Sequence, residues 1–113
     1  AFYDGIQPWK GVNCPGNIVS GEACADLAGM KVILRIAAQK EGFDYDAFFR
    51  AYADNYMSVM TPEVARQLLG DQHPLNYLRI NIVLQHFDEF LNLYDIHEGD
   101  GMYLAPEDRV DIW

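Results

Sequence analysis

The chain has 113 residues, of which 50% are hydrophobic and 13% aromatic, and its 17 acidic and 8 basic side chains give a formal net charge of −9. This composition is typical of one globular domain, and the negative charge opposes the phosphate neutralisation that nucleic-acid binding requires, so no nucleic-acid partner is expected. No apolar run reaches about 18 residues and no basic leader precedes an apolar stretch, so the sequence predicts neither membrane contact by this segment nor a signal peptide, and localisation, cytoplasmic or exported, stays open.

The sequence begins with a predicted irregular arm over residues 1–19. Glycine and proline interrupt any helical or strand period there, at Gly5, Pro8, Gly11, Pro15 and Gly16. Ser20 then offers a side-chain cap for a helix whose apolar residues recur at helical spacing until Gly42. We therefore expect the first helix to follow Ser20.

Two further helices are predicted between residues 44 and 70. Asp44 offers a cap for a helix over about 45–58, whose aromatic residues are spaced as on a face turned to the core. This aromatic stripe comprises Phe48, Phe49, Tyr52 and Tyr56. Thr61 precedes Pro62, which suits the first position of a helix, and Gly70 closes the short helix that results.

The rest of the sequence predicts two consecutive short helices and an irregular tail. The apolar residues between 78 and 91 suit either a strand or a buried helix, and Asn76 as a cap favours helices. Residues 95–113 contain a turn cluster and a polar stretch, and we expect an irregular tail that Trp113 anchors to the rest of the domain. The prediction is an all-α fold of about five helices, in one domain with an arm (1–19), a helical core (20–94) and a tail (95–113).

One candidate for chemistry is a pair of acids at the start of the first predicted helix. Glu22 and Asp26 stand four residues apart and therefore share a face. The helix macrodipole alone favours acids at this end. The functional interpretation is that Glu22 binds a cation while Asp26 accepts a hydrogen bond from another ligand.

A second candidate lies in the turn before the fourth predicted helix. Asp71 is placed to orient the ring of His73 and keep it protonated, and Arg79 adds a fixed cation with a forked donor. Together they would form a donor cluster suited to an oxyanion or a peptide carbonyl. A loop histidine is more often simply solvated, so the residues alone leave both interpretations open.

Three motifs follow one another along the chain. They are Glu22-x-x-x-Asp26 with Leu-x-Gly, then Asp71-x-His73-Pro74-x-x-x-x-Arg79, then Pro106-Glu107-x-Arg109 with a terminal Trp113. In order and spacing they resemble the last segment of the neprilysin and endothelin-converting enzyme family, over residues 16–113. The cysteine that precedes the terminal tryptophan in animal members is absent, which favours a bacterial-type enzyme.

The resemblance implies an activity and a role for each candidate residue. In that family, two histidines of an H-E-x-x-H helix and the glutamate of a G-E-N-I-A-D-type motif hold zinc, which implies that Glu22 is the third protein ligand. Asp26 would orient one of those histidines. His73 would stabilise the tetrahedral oxyanion with support from Asp71, and Arg79 would grip the substrate backbone. The implied fold is the distal part of a gluzincin-type metallopeptidase catalytic domain, and the implied substrates are oligopeptides cleaved internally.

The other half of such a site is missing from this chain. None of its three histidines, His73, His86 and His97, belongs to an H-E-x-x-H motif. We therefore expect the C-terminal part of a longer zinc metalloendopeptidase, which is inactive alone and does not bind zinc tightly by itself. Its partners would be the N-terminal remainder of the catalytic domain and a peptide substrate, and an uncovered apolar face would favour homo-oligomers.

Two other functions are compatible with the same residues. The lack of H-E-x-x-H favours a non-catalytic helical interaction module derived from this fold. The net charge of −9 permits a small acidic protein that binds a cation through Glu22 and Asp26. Ala23-Cys24 also stands where the family has Asn-Ile, which bears on the geometry of the ligand.

Overall fold

Helices and turns make up residues 1–112, the part of the chain that the computed structural model describes, and no strand forms there. The five α-helices are α1 (Gly16–Ala37), α2 (Tyr45–Tyr56), α3 (Pro62–Leu68), α4 (Asn76–Leu84) and α5 (Asp88–Leu93). Short 3-10 helices form at Phe2–Gly5 and Pro106–Asp108. The prediction of an all-α fold with about five helices is confirmed, whereas the anchoring by Trp113 lies outside the described residues.

Helix α1 begins earlier than predicted, because its cap comes from the arm. The side chain of Asp4 accepts a hydrogen bond from the backbone N–H of Gly16 at 2.9 Å. A Cβ at Gly16 would lie 2.7 Å from the Asp4 carboxylate, so only glycine permits this approach. Ser20 lies inside the helix, and its hydroxyl contacts the carbonyl of Asn17 at 3.4 Å. The predicted Ser20 cap is therefore wrong, and the arm ends at Pro15 rather than at residue 19.

The other helix starts follow local chemistry to different degrees. Asp44 caps α2 by accepting from the N–H of Ala47 at 2.9 Å, and Thr61 caps α3 ahead of Pro62, as predicted. Helix α2 ends at residue 56 rather than 58. Asn76 is the first residue of α4 and not its cap, because its side chain donates instead to the hydroxyl of Ser58 at 3.1 Å.

Two clusters of buried side chains form the core, and α1 runs along both. The first joins the arm, α1 and α4, and consists of Tyr3, Cys14, Val19, Ala23, Leu75 and Leu78. The second joins α1, α2 and α4, and consists of Leu27, Met30, Leu34, Phe49, Val83 and Leu84. This shared packing holds α4 beside α1. Within residues 1–112, no helix combines the length and apolar character needed to cross a bilayer.

Candidate active site

The packing of α4 against α1 brings the two predicted clusters together. Glu22 and Asp26 lie one helical turn apart on α1, and Arg79 lies in the first turns of α4. His73 belongs to the loop that leads into α4. Residues that are about fifty positions apart in the chain therefore meet in one region.

The centre of this region is an ion pair between Asp26 and Arg79. The guanidinium donates from Nη2 to one carboxylate oxygen at 2.6 Å and from Nε to the other at 2.8 Å. Only 10% of the Asp26 side chain and 17% of the Arg79 side chain are exposed. These hydrogen bonds raise the pKa of Arg79, which is therefore a permanent cation. Two-point pairing also restricts the orientation of the guanidinium plane.

Two tyrosines of α2 complete the surroundings of Arg79. The guanidinium carbon lies 4.8 Å from the centre of the Tyr56 ring, within the range of a cation–π contact. The hydroxyl of Tyr52 donates to the backbone carbonyl of Arg79 at 2.6 Å. Burial, and then the negative charge of Asp26, raise the pKa of Tyr52, so its hydroxyl keeps the proton that it donates.

His73 is held by the residue two positions before it. One carboxylate oxygen of Asp71 accepts from the backbone N–H of His73 at 2.9 Å and contacts ring Nδ1 at 2.8 Å. The backbone hydrogen bond, followed by the ring contact, lowers the pKa of Asp71. An ionised carboxylate can only accept, so Nδ1 carries a proton in this pair. The ring is thereby oriented with Nε2 directed away from Asp71.

Nε2 of His73 faces Glu22. The distance from this nitrogen to Oε2 of Glu22 is 3.6 Å, which is too long for a good hydrogen bond and within the range of an ion pair when the ring is doubly protonated. Both side chains are partly exposed, at 48% for His73 and 36% for Glu22. All five predicted site residues are thus in one region: Glu22, Asp26, Asp71, His73 and Arg79.

Glu22 is suited to be one ligand of a larger metal site. Glu22 presents a partly exposed carboxylate, a group that binds zinc readily. Within the described range 1–112, however, no group of three His, Cys, Asp or Glu side chains is arranged to hold a metal ion. A zinc site at Glu22 would therefore need ligands from elsewhere.

An apolar cavity of about 680 Å³ opens next to Tyr56. It lies between the end of α2, the segment 57–60, α3 and α4, and its wall includes Tyr56, Met60, Leu75 and Tyr77. Tyr56 therefore contributes both to this cavity and to the surroundings of the guanidinium.

Helix α2 contributes to this site, which its sequence pattern does not predict. The pattern predicts that the aromatic stripe faces the core, but only Phe49 of the four residues is fully buried. Tyr52 and Tyr56 lie on successive turns toward the Arg79 side of the stripe. Tyrosine in place of phenylalanine at these two positions was the available signal, because a hydroxyl on a buried stripe needs a partner.

The helical fold and this group of carboxylate, imidazole and guanidinium side chains agree with the arrangement expected of a peptidase segment. Comparison with known families supports this class, because the model of peptidase family M13 matches residues 1–110. The chain belongs to peptidase family M13.

The most similar proteins found include bacterial endopeptidases. The chain is 35% identical over 113 residues to "Neutral endopeptidase" of Lactobacillus helveticus, and 33% identical over 114 residues to the protein of the same name from Lactococcus lactis subsp. cremoris. These matches span 99% and 100% of this chain, but only 17% and 18% of the length of the two relatives. A crystal structure of PEPO from Lactobacillus rhamnosis HN001 (DR20) matches 99% of this chain and 18% of its own, with a TM-score of 0.87 and 34% identity.

Proposed function

We propose that this chain acts as the C-terminal part of a zinc metalloendopeptidase that cleaves oligopeptides internally. In this function Glu22 is the third zinc ligand, His73 stabilises the oxyanion, and Arg79 grips the substrate. The observation that carries the proposal is the approach of His73 Nε2 to within 3.6 Å of the Glu22 carboxylate. A donor beside a metal-binding carboxylate is what stabilisation of a developing oxyanion requires.

Glu22 would hold the metal together with ligands supplied by the rest of the parent protein. Zinc, when bound, supplies a Lewis acid that polarises a peptide carbonyl and acidifies water. Each oxygen of Asp26 already accepts one hydrogen bond from Arg79 and has a second lone pair. Asp26 can therefore also accept a hydrogen bond from a metal-binding histidine and orient its ring.

His73 and Arg79 would act on the substrate directly. Asp71 holds Nδ1 of His73, so in the doubly protonated ring Nε2 is the atom that would donate to the oxyanion. Arg79 uses Nε and Nη2 for Asp26, and its Nη1 group has no hydrogen-bond partner among residues 1–112. Nη1 is thus the donor with which Arg79 would bind a substrate carbonyl.

The remainder of the catalytic domain would cover the outer face of α1. This face, which we call the α1 outer face, carries exposed apolar residues on the same side as Glu22: Ile18, Val32, Ile33 and Ile36. Apolar residues at helical spacing beside a ligand suit a surface that another part of the protein buries. Without that covering, the same face would drive two copies of the chain together.

Substitutions in the complete parent protein test the proposed roles. We expect Glu22→Gln to abolish both zinc retention and peptide cleavage, because the amide is a weaker ligand than the carboxylate. We expect His73→Ala to retain zinc and to lower turnover by at least about a hundredfold, the usual cost of losing an oxyanion donor. Metal analysis of dialysed protein and assays with a fluorogenic oligopeptide measure both outcomes.

A matched control separates these roles from general effects of charge. Glu63→Gln removes an exposed carboxylate of α3 and should leave zinc content and turnover unchanged. Equal zinc loss in the Glu22 and His73 variants would contradict the assigned roles. Full activity of Glu22→Gln would show that Glu22 is not a zinc ligand, whereas an unmodified parent protein that neither binds zinc nor cleaves peptides would favour the non-catalytic interaction module.

A further inference from the structure

Tyr56 and Tyr52 contact the two parts of Arg79 that Asp26 leaves free. The Tyr56 ring lies 4.8 Å from the guanidinium carbon, and the Tyr52 hydroxyl binds the backbone carbonyl of Arg79 at 2.6 Å. The two rings also contact each other edge to face, with centroids 5.4 Å apart and planes at 61°. Three elements therefore meet at one arginine: α1 through Asp26, α2 through the tyrosines, and α4 through its own backbone.

Each contact constrains a different degree of freedom of Arg79. The Asp26 pairing constrains the Nε–Nη2 edge of the guanidinium, but the guanidinium plane can still rotate about that edge. An aromatic ring close to the guanidinium restricts this rotation and keeps Nη1 directed to one side. The hydroxyl of Tyr52 holds the main chain from which the long side chain of Arg79 extends.

Burial makes these constraints strong. The side chains of Asp26 and Arg79 are mostly shielded from water, and both tyrosines are partly buried beside them. Water and salt screen electrostatic and hydrogen-bonding interactions less in such surroundings than on an open surface. Small displacements of a substrate-binding group have large effects on catalysis, so a fixed arginine is of direct use to the enzyme.

We propose that Tyr56 and Tyr52 are positioning residues for Arg79, which orient its Nη1 group for a substrate carbonyl. Tyr56 acts through its ring face and Tyr52 through its hydroxyl. This inference rests on the proposed function, since it assumes that Arg79 binds the substrate. It adds α2 to the elements that build the site, although α2 carries none of the motifs identified in the sequence.

Kinetics of the complete parent protein test the inference. Tyr56→Leu removes the ring face, and a cation–π contact of about 1.4 kcal/mol corresponds to about a tenfold rise in KM. The kcat should change by less than about threefold, because the lost interaction is made in both the ground state and the transition state. Tyr56→Trp keeps an aromatic face and should keep KM within about twofold. Tyr52→Phe should raise KM by about fivefold through loss of one hydrogen bond.

A double-mutant cycle with Arg79→Ala provides a result that a merely structural role would not produce. If the tyrosine acts through the arginine, Tyr56→Leu should change KM by less than about twofold in the Arg79→Ala background. If Tyr56→Leu retains its full effect there, Tyr56 contacts the substrate itself or supports the fold, and the positioning role is overturned. The positioning role is likewise overturned if Tyr56→Trp is as impaired as Tyr56→Leu.

The cycle also distinguishes failure of this inference from failure of the proposed function. If Arg79→Ala alone leaves KM unchanged, the substrate role of Arg79 is wrong, and the positioning role falls with it. If Arg79→Ala raises KM and the tyrosine effects are simply additive, the substrate role stands and only the positioning role fails. Zinc content, measured on each variant, should remain at the level of the unmodified protein throughout.

Discussion

Two buried side chains within residues 1–112 have a polar atom without a hydrogen-bond partner, the hydroxyl of Tyr3 and Nε2 of His86. Burial and then the charge of Asp26 raise the pKa of Tyr3, so the phenol stays neutral beside the Asp26–Arg79 pair. His86 places Nδ1 at 2.6 Å from the carbonyl of Ile82, so Nδ1 carries a proton and Nε2 does not. A second proton on this ring would have no acceptor in its surroundings.

The pH dependence of stability should therefore include a contribution from His86. Burial, with a further contribution from the charge of Arg109, lowers the pKa of His86 in the folded chain, whereas the pKa of the ring in the unfolded chain is about 6.5. Between these two pKa values the unfolded state binds more protons, so the free energy of unfolding falls as the pH drops through this window. We expect urea unfolding of the 113-residue chain to show lower stability at pH 5.5 than at pH 7.5.

His86→Phe should reduce this dependence, because the ring that titrates is removed while its contact with Phe2 is kept. The comparison is with the unsubstituted chain, in which the Asp88–Arg109 pair at 2.8 Å and the exposed His97–Asp95 pair at 2.6 Å are also present and cancel. An unaltered dependence in His86→Phe would show that other groups are responsible.

At the scale of elements, the helices differ in where their caps come from. Helices α2 and α3 are capped by the residue immediately before them, which is why the sequence located their starts. Helix α1 is capped by Asp4, twelve residues away from Gly16 in the chain. This long-range cap couples the arm to the helix that carries Glu22 and Asp26.

Loss of the Asp4 cap should destabilise α1. We expect Asp4→Ala to lower the free energy of unfolding of the 113-residue chain by about 1 kcal/mol, the typical cost of losing a capping side chain. Ser20→Ala should change it by less than about 0.5 kcal/mol, because an exposed serine inside the helix caps nothing. Circular dichroism during urea unfolding measures both. The opposite order of effects would show that α1 begins at Ser20 in solution.

The whole molecule is elongated, with extents of 45 × 28 × 27 Å. The 22 residues of α1 account for about 33 Å of this length at 1.5 Å per residue. One face of α1 packs on the core along its whole length, while the α1 outer face remains exposed. This arrangement leaves a long apolar surface beside the candidate site.

The isolated chain should self-associate through the α1 outer face. We expect the 113-residue chain to form dimers or larger species at high concentration, and Ile33→Lys with Ile36→Lys to restore a monomer, because two charges would have to be buried in the contact. Val59→Lys is the matched control, since Val59 is fully exposed in the segment between α2 and α3. Sedimentation velocity over a range of concentrations measures the outcome. A monomer at all concentrations would contradict the expectation.

Much of the fold and of the candidate site could be predicted from the sequence. Helical periodicity and local caps such as Asp44 and Thr61 predicted the number of helices, because these signals act within a few residues. The motifs indicated which side chains meet in the candidate site. The predictions at Ser20 and Asn76 were wrong because neither side chain caps its helix. The first N–H of α1 binds Asp4 instead, and the side chain of Asn76 donates to Ser58.

The sequence by itself determined the class of fold and the chemical groups of the site, since residue type and spacing are local properties. Only the tertiary structure decided which groups meet: Asp26 with Arg79, His73 with Glu22, and the Tyr56 ring with the guanidinium. These contacts depend on how α1, α2 and α4 pack around a common core. Packing is decided by the fit of many apolar side chains at once, and no short stretch of sequence contains that information.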